Sequence, residues 1–280
     1  MQALIATFDN GNFTPLDVVS NAERLELTKA IESLTLYEEC FFLPASICWY
    51  NIEDYKKFYS WTEQTARDSI AEIHANISYI RANAAKCLMN VLTSFTSFDY
   101  ITTARISALG NPQVMSEYTK ITKSAFDEEL AYRFLYKLCN FTKHCALPIA
   151  EVMIEDTFGP AETRKFNFRF RLSREKLLQY DSWGPVKKEL LTFQEQFEVN
   201  QYIESLYPII EGIQKNVIHL IKDQIVAAYT PVMGIYNRVR DKCNSPMIAW
   251  PQVDENGKTN LKMDLVNIPA GFLETLEKII

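Results

Sequence analysis

Glycine is scarce in this chain, with 8 among 280 residues, about half the usual share. That shortage disfavours a loop-rich β fold and a glycine-rich cradle for nucleotide phosphates. Histidine is scarcer still, at 3 residues, and the 6 cysteines (40, 48, 87, 139, 145 and 243) include no Cys-x-x-Cys pair. A zinc site is therefore not expected, no metal or cofactor is implied, and free thiols are the default. No apolar run reaches the ~18 residues that a bilayer span requires, and no charged-then-apolar leader opens the sequence. The expectation is a cytoplasmic protein without a membrane partner. Acidic residues outnumber basic ones, 35 to 29, for a formal charge of −6, which argues against non-specific coating of nucleic acid. A local basic site stays open. No repeat or low-complexity linker is visible.

Aromatic residues are abundant by contrast, with 17 Phe and 14 Tyr, and they imply a core packed with rings. Ala3–Phe8 is β-prone and leads through Asp9-Asn10-Gly11-Asn12, a turn signal, to a second strand over 13–19. Ser20 or Asn21 caps a helix reaching about Leu34. Phe41–Tyr50, interrupted by Pro44, reads as extended. From Ile52 to about Leu109 apolar residues recur at three- and four-residue steps, a helical period with a break expected near Asp68 or within 93–103. A helix over 126–146 follows, stopped by Pro148. Lys165–Leu172 alternates as a strand, Ser173 caps a helix through Tyr180, and 183–191 makes another. Asn200–Tyr229 is amphipathic, with Pro208 expected either to kink the helix or to mark a later start. Two strands flank Asp254–Lys258, and 268–280 closes the chain as a helix. The fold expected is mainly α, a multi-helix bundle with small β additions near the N- and C-termini. It divides into a 1–50 extension, a 51–230 bundle, and a 231–280 hairpin and helix packed on that bundle.

The richest segment is Leu138-Cys139-Asn140-Phe141-Thr142-Lys143-His144-Cys145-Ala146-Leu147-Pro148. At about 100° per residue, Leu130, Phe134, Leu138, Phe141 and Cys145 form one apolar stripe. Arg133, Lys137, Asn140 and His144 form a polar flank beside it, at spacings of four, three and four. Such a flank lies at the boundary of core and solvent, where a groove or a subunit contact forms. Lys137 and His144 are separated by about 10 Å of helical rise and can reach one phosphodiester together. Arg133, about 16 Å from His144 along the axis, cannot share it within one chain. The plain alternative is an ordinary polar flank, with Asn140 ordering the last turn and a cationic His144 favoured by the helix dipole.

The run Asn140-Phe141-x-x-His144-x-x-Leu147-Pro148-Ile149 resembles the HEPN superfamily of helical bundles. More closely, it resembles bacterial proteins of similar length carrying an Arg-Asn-aromatic-x-x-His-x-x-Leu-Pro-Ile segment. Ala85–Asp99 and Ser173–Leu190 extend the likeness over roughly residues 50 to 230. The resemblance implies metal-independent RNA cleavage in bacterial defence or stress, at a homodimer interface where histidine and arginine assist attack of a ribose 2′-hydroxyl. Carried over by position, His144 is the acid/base group and Asn140 orients it, with Lys137, Lys143 and Arg133 as RNA-binding cations. The family's arginine position holds Cys139, and a neutral thiol cannot stabilise a charged phosphorane. Two readings follow. One is an RNA-directed protein, an endoribonuclease with a degenerate site. The other is a catalytically inactive helical interaction or scaffold protein, with a regulatory protein as its partner.

Other groups read as structural. His74 and His219 belong to core edges, and Trp61, Trp183 and Trp250 to core anchors. Asp127-Glu128-Glu129 suits the first turn of its helix. Lys165, Arg169 and Arg171, alternating with Phe166, Phe168 and Phe170, fit an edge strand protected by charge better than a nucleic-acid face.

Overall fold

Ser20 starts the first helix, α1 (Asn21–Tyr37), with a capping box. Its hydroxyl accepts from Glu23 N at 3.1 Å while the Glu23 carboxylate accepts from Ser20 N, so two orphan amides are satisfied reciprocally. The structure, a computed structural model, describes residues 2–9, 12–149, 151–158, 164–243, 245–253 and 259–280. It is mainly α with small sheets. The turns expected at Asn10-Gly11 and at 254–258 lie outside the described residues, as do the side chains of Lys165 and Phe166. The chain divides into two compact units, Met1–Glu39 with Ile221–Ile280, and Cys40–Leu220. The sequence boundaries at 50 and 230 differ from these because the division depends on which distant segments pair.

In the first unit both ends of the chain share one antiparallel sheet. β1 (Ala3–Asp9) pairs with β2 (Asn12–Val19) and with β6 (Met247–Val253), and β6 pairs with β7 (Thr259–Asn267). The β1–β2 register shifts between Ile5 and Ala6, beside Pro15, which an edge strand tolerates because it has no N–H to donate. α1 packs on α10 (Lys222–Val239), which also meets α11 (Ala270–Glu277). Arg238 joins Asp17 and Glu23.

The second unit is a helical bundle. A π-helical segment, Glu38–Phe42, ends just inside it and runs into α2 (Leu43–Asp68). The region read as extended is thus helical. Pro44 stands in the first turn of α2, where proline's missing N–H breaks no bond. Ser69 interrupts the long helical stretch, leaving α3 (Ile70–Ala75) and an unbroken α4 (Ile77–Ala108). After α5 (Pro112–Glu128) comes α6 (Leu130–His144), which touches α4, α5, α8 (Val186–Leu190) and α9 (Asn200–Leu220). The amphipathic helix breaks at Ile221, between α9 and α10, rather than at Pro208.

A second sheet, from the middle of the chain rather than its ends, runs β3 (Glu151–Phe158), β4 (Arg164–Ser173), β5 (Gln196–Glu198). β4 is its central strand, so its arginines do not guard an edge. Phe168 and Phe170 are fully buried, and Phe170 stacks on Phe58 of α2 at 6.0 Å. Among the described residues no helix is long and apolar enough to cross a membrane.

The α4–α6 seam carries polar contacts inside an apolar layer. Tyr132 packs edge-on against Phe95 at 4.9 Å and donates its hydroxyl to Asp99 Oδ1 at 3.0 Å. Burial holds the Asp99 carboxyl above its ordinary value of 3.8, partly offset by the Tyr132 hydrogen bond. The folded state thus binds the Asp99 proton more tightly than the unfolded chain. The ionised carboxylate therefore weakens the fold at neutral pH, and that penalty fades as pH falls toward 3.8. Asp99→Asn keeps the acceptor and removes the charge. Its melting temperature should exceed the wild-type value at pH 7, with the gap closing as the pH is lowered toward 4, read by thermal unfolding across pH. An equal gap at every pH would contradict the burial argument.

Candidate functional site

α6 begins where α5 ends. Glu129, at φ −102 and ψ 103, leaves the helical region, so the single helix expected over 126–146 is two. Asp127 and Glu128 consequently close α5 or flank its end instead of opening a helix. Arg133 compensates: its Nη1 donates to Phe126 O and Asp127 O at 3.4 and 3.1 Å, covering carbonyls that a helix end leaves unpaired. The guanidinium also forks onto Glu189 of α8, with Nε donating to both carboxylate oxygens at 3.0 Å. That hydrogen-bonded pairing raises the Arg133 pKa above its ordinary value.

The helix stays intact through His144. Cys145, at φ −124 and ψ −68, caps it with its N–H on Phe141 O at 2.9 Å, and the Thr142 hydroxyl donates to Cys139 O at 2.8 Å. His144, Lys143 and Cys145 are exposed, and Lys137 and Asn140 are half-buried. Cys145 therefore leaves the apolar stripe to which its spacing assigned it, because the backbone has already turned out of the helix.

Position by position, the polar flank meets α8 and the segment that joins it to α7 (Arg174–Leu178). Arg133 holds Glu189. Lys137 Nζ lies 3.9 Å from where a Cβ on Gly184 would stand. Gly184 has φ +58, a left-handed conformation that glycine adopts without strain. The His144 ring lies nearly parallel to Tyr180, centroids 6.4 Å apart and planes at 14°. What fastens this segment is Trp183, which is fully buried. It stacks on Phe134 at 6.1 Å and Phe141 at 6.2 Å and donates its indole N–H to Leu177 O at 2.7 Å. The fold thus occupies Arg133 and shelters Lys137, and leaves Asn140, Lys143, His144 and Tyr180 as one accessible patch at the helix end.

Cys139 lies elsewhere. It is fully buried, with its sulfur 3.4 Å from Thr96 Oγ1 of α4. The buried residues of α6, from Phe141 round to Tyr132, cover an arc of about 180°, far wider than the apolar stripe alone suggests. Position 139 sits within that arc, about 20° from its Tyr132 edge and about 140° around the helix from His144. Cys139 and His144 do not meet.

Among the remaining candidates, His74 and His219 are exposed rather than at core edges. Trp61 is also exposed, and Trp250 is half-buried beneath the Arg24 guanidinium at 4.7 Å. Among the described residues no group of three or more His, Cys, Asp or Glu could hold a metal ion. Tyr180 is the patch member that spacing along α6 could not reveal. The signal nearest to it was the Ser173 cap, whose hydroxyl accepts from Lys176 N at 3.3 Å. Comparison with protein-family models, with curated proteins and with solved structures finds no match to this chain.

Cys139→Arg forces a guanidinium against Thr96 in a dry seam. It should destabilise the protein by about 3–5 kcal/mol, the scale of an uncompensated buried charge. Cys139→Ala should lose about 1 kcal/mol, as small core truncations do. Urea denaturation measures both. An arginine variant as stable as wild type would mean that position 139 opens to solvent.

Proposed function

We propose that this chain is an RNA-directed, HEPN-like helical protein that grips single-stranded RNA at the Asn140, Lys143, His144 and Tyr180 patch without cutting it. The observation carrying the reading is the exposed imidazole at the end of an intact helix, lying parallel to the Tyr180 ring. Splayed bases stack on such rings, Lys143 attracts phosphate, and Asn140 supplies an amide one turn below.

Cleavage needs a second strong cation at the phosphate, because the developing charge dominates the barrier. Arg133 is engaged by Glu189, and position 139 faces α4. Lysine is a point charge without a guanidinium's planar fork. The binding role is therefore favoured over the endoribonuclease role. The reading includes a homodimer in which two His144 ends meet and extend the RNA track. It also includes service in a bacterial defence or stress system, where a regulatory protein would control access.

The test uses a labelled single-stranded RNA with chelator present. Wild type should bind it without cutting. Tyr180→Ala should weaken binding about tenfold, the scale of one lost stacking platform. Lys143→Ala should lower the slope of log affinity against log salt by about one. Metal-free cleavage by wild type that disappears in His144→Ala would establish the endoribonuclease instead. Absence of RNA binding, or binding indifferent to all three substitutions, would leave the inactive scaffold.

A further inference from the structure

The two interruptions that separate α2, α3 and α4 leave a cavity of about 170 Å³ among these helices. Ser69 starts α3, its hydroxyl accepting from Glu72 N at 3.3 Å. Asn76 ends it, its side-chain amide donating to Glu72 O at 2.9 Å. Both bonds fix the backbone of Glu72, which lines the cavity. Ile73 and Ile80, both buried, form an aliphatic floor. Trp61 of α2 and Tyr79 of α4 supply the walls, and both rings reach solvent, at 46% and 61% exposure. None of Asn140, Lys143, His144 and Tyr180 belongs to this lining.

Trp61 is fixed in place despite its exposure. Its ring stacks on Phe58 at 5.7 Å and 30°, and Phe58 stacks on the fully buried Phe170 at 6.0 Å and 7°. This ladder of rings anchors the indole from the core outward. Phe58 does not line the cavity, so the cavity meets Trp61 away from that stack. An aromatic wall ordered in advance lowers the entropy lost when a ligand arrives.

Charge in the lining has one sign. Glu72 is its carboxylate, and no Lys, Arg or His lines the space. Arg67, at the end of α2, pairs with Glu63 at 3.5 Å. His74, two residues beyond Glu72, lies about 160° around the helix from it. Two aromatic rings, an aliphatic floor and one carboxylate suit a cation that sheds water easily. A primary ammonium is compact and strongly hydrated. A quaternary ammonium presents methyl groups to apolar surface and its charge to ring faces. The volume is below the ~300 Å³ at which sites for whole drug-sized ligands begin, so a head group fits better than a larger molecule. We propose that this cavity binds a trimethylammonium group, with Trp61 and Tyr79 as aromatic walls and Glu72 as the counter-charge.

Titration calorimetry of the full chain with tetramethylammonium, choline and an acetylated trimethyl-lysine amide tests this. The controls are ethanolamine, which lacks the methyl groups, and the neutral tert-butyl analogue of choline, in which carbon replaces nitrogen. At least one trimethylammonium compound should bind saturably, and both controls about tenfold weaker or worse. Trp61→Ala and Tyr79→Ala should each weaken binding about fivefold, and Glu72→Gln about threefold. Tyr79 and Glu72 are exposed, so their variants should keep the wild-type melting temperature even if Trp61→Ala folds poorly. Tighter binding of choline than of the lysine derivative assigns a free small molecule as the source. The reverse order assigns a methylated protein side chain, and either order upholds the site. No saturable binding of any of the three overturns the proposal, as does affinity indifferent to Tyr79→Ala and Glu72→Gln. The neutral analogue binding as tightly as choline overturns the claim for a cation, and ethanolamine doing so overturns the claim for the methyl groups.

Discussion

The stacking of Trp183 between Phe134 and Phe141 governs what α6 can present. It is the deepest anchor of the segment between α7 and α8, and its indole N–H is satisfied by Leu177 O, so the ring enters the core without stranding a donor. From that anchor the chain is carried along the polar flank of α6. Glu189 then meets Arg133, Gly184 meets Lys137, and Tyr180 meets His144. Phe134, on its other side, supports Phe193 and Tyr202. One buried ring cluster thus supports both the His144 patch and the start of α9.

Charge is sorted by the same packing. Arg133 gives up solvent to bind a carboxylate and two carbonyls, a use consistent with its flat multi-donor head. Asp99 pays for its place in the α4–α6 seam with a raised pKa, whereas Lys143 and His144 are exposed in the last turn of α6. The basic side chains of one helix therefore differ in availability. An α-helical stripe records angular position alone; the neighbour that each residue meets depends on a segment some forty residues later.

Much of the fold was legible because it rests on local chemistry. The Ser20 capping box, the three-and-four spacing of α4, the alternation of β4 and the proline stop after α6 are read from neighbouring residues. Errors fell where local signals compete. Pro44 suggested an extended run but occupies a first helical turn. Asp127–Glu129 suggested a helix start but flank the end of α5. β5 escaped because a three-residue strand is stabilised by its partner more than by its own pattern.

The candidate site divides the same way. Periodicity and a breaker residue were enough to put Asn140 and His144 on one side of α6 with Lys143 beside them, since helical geometry is set by the backbone and needs no distant contact. Whether position 139 faces solvent, whether Arg133 is engaged, and which ring lies against His144 were decided by α4, α8 and Tyr180. Those outcomes depend on apolar burial, which is non-directional. It is the tertiary packing that chooses which faces of a helix are closed.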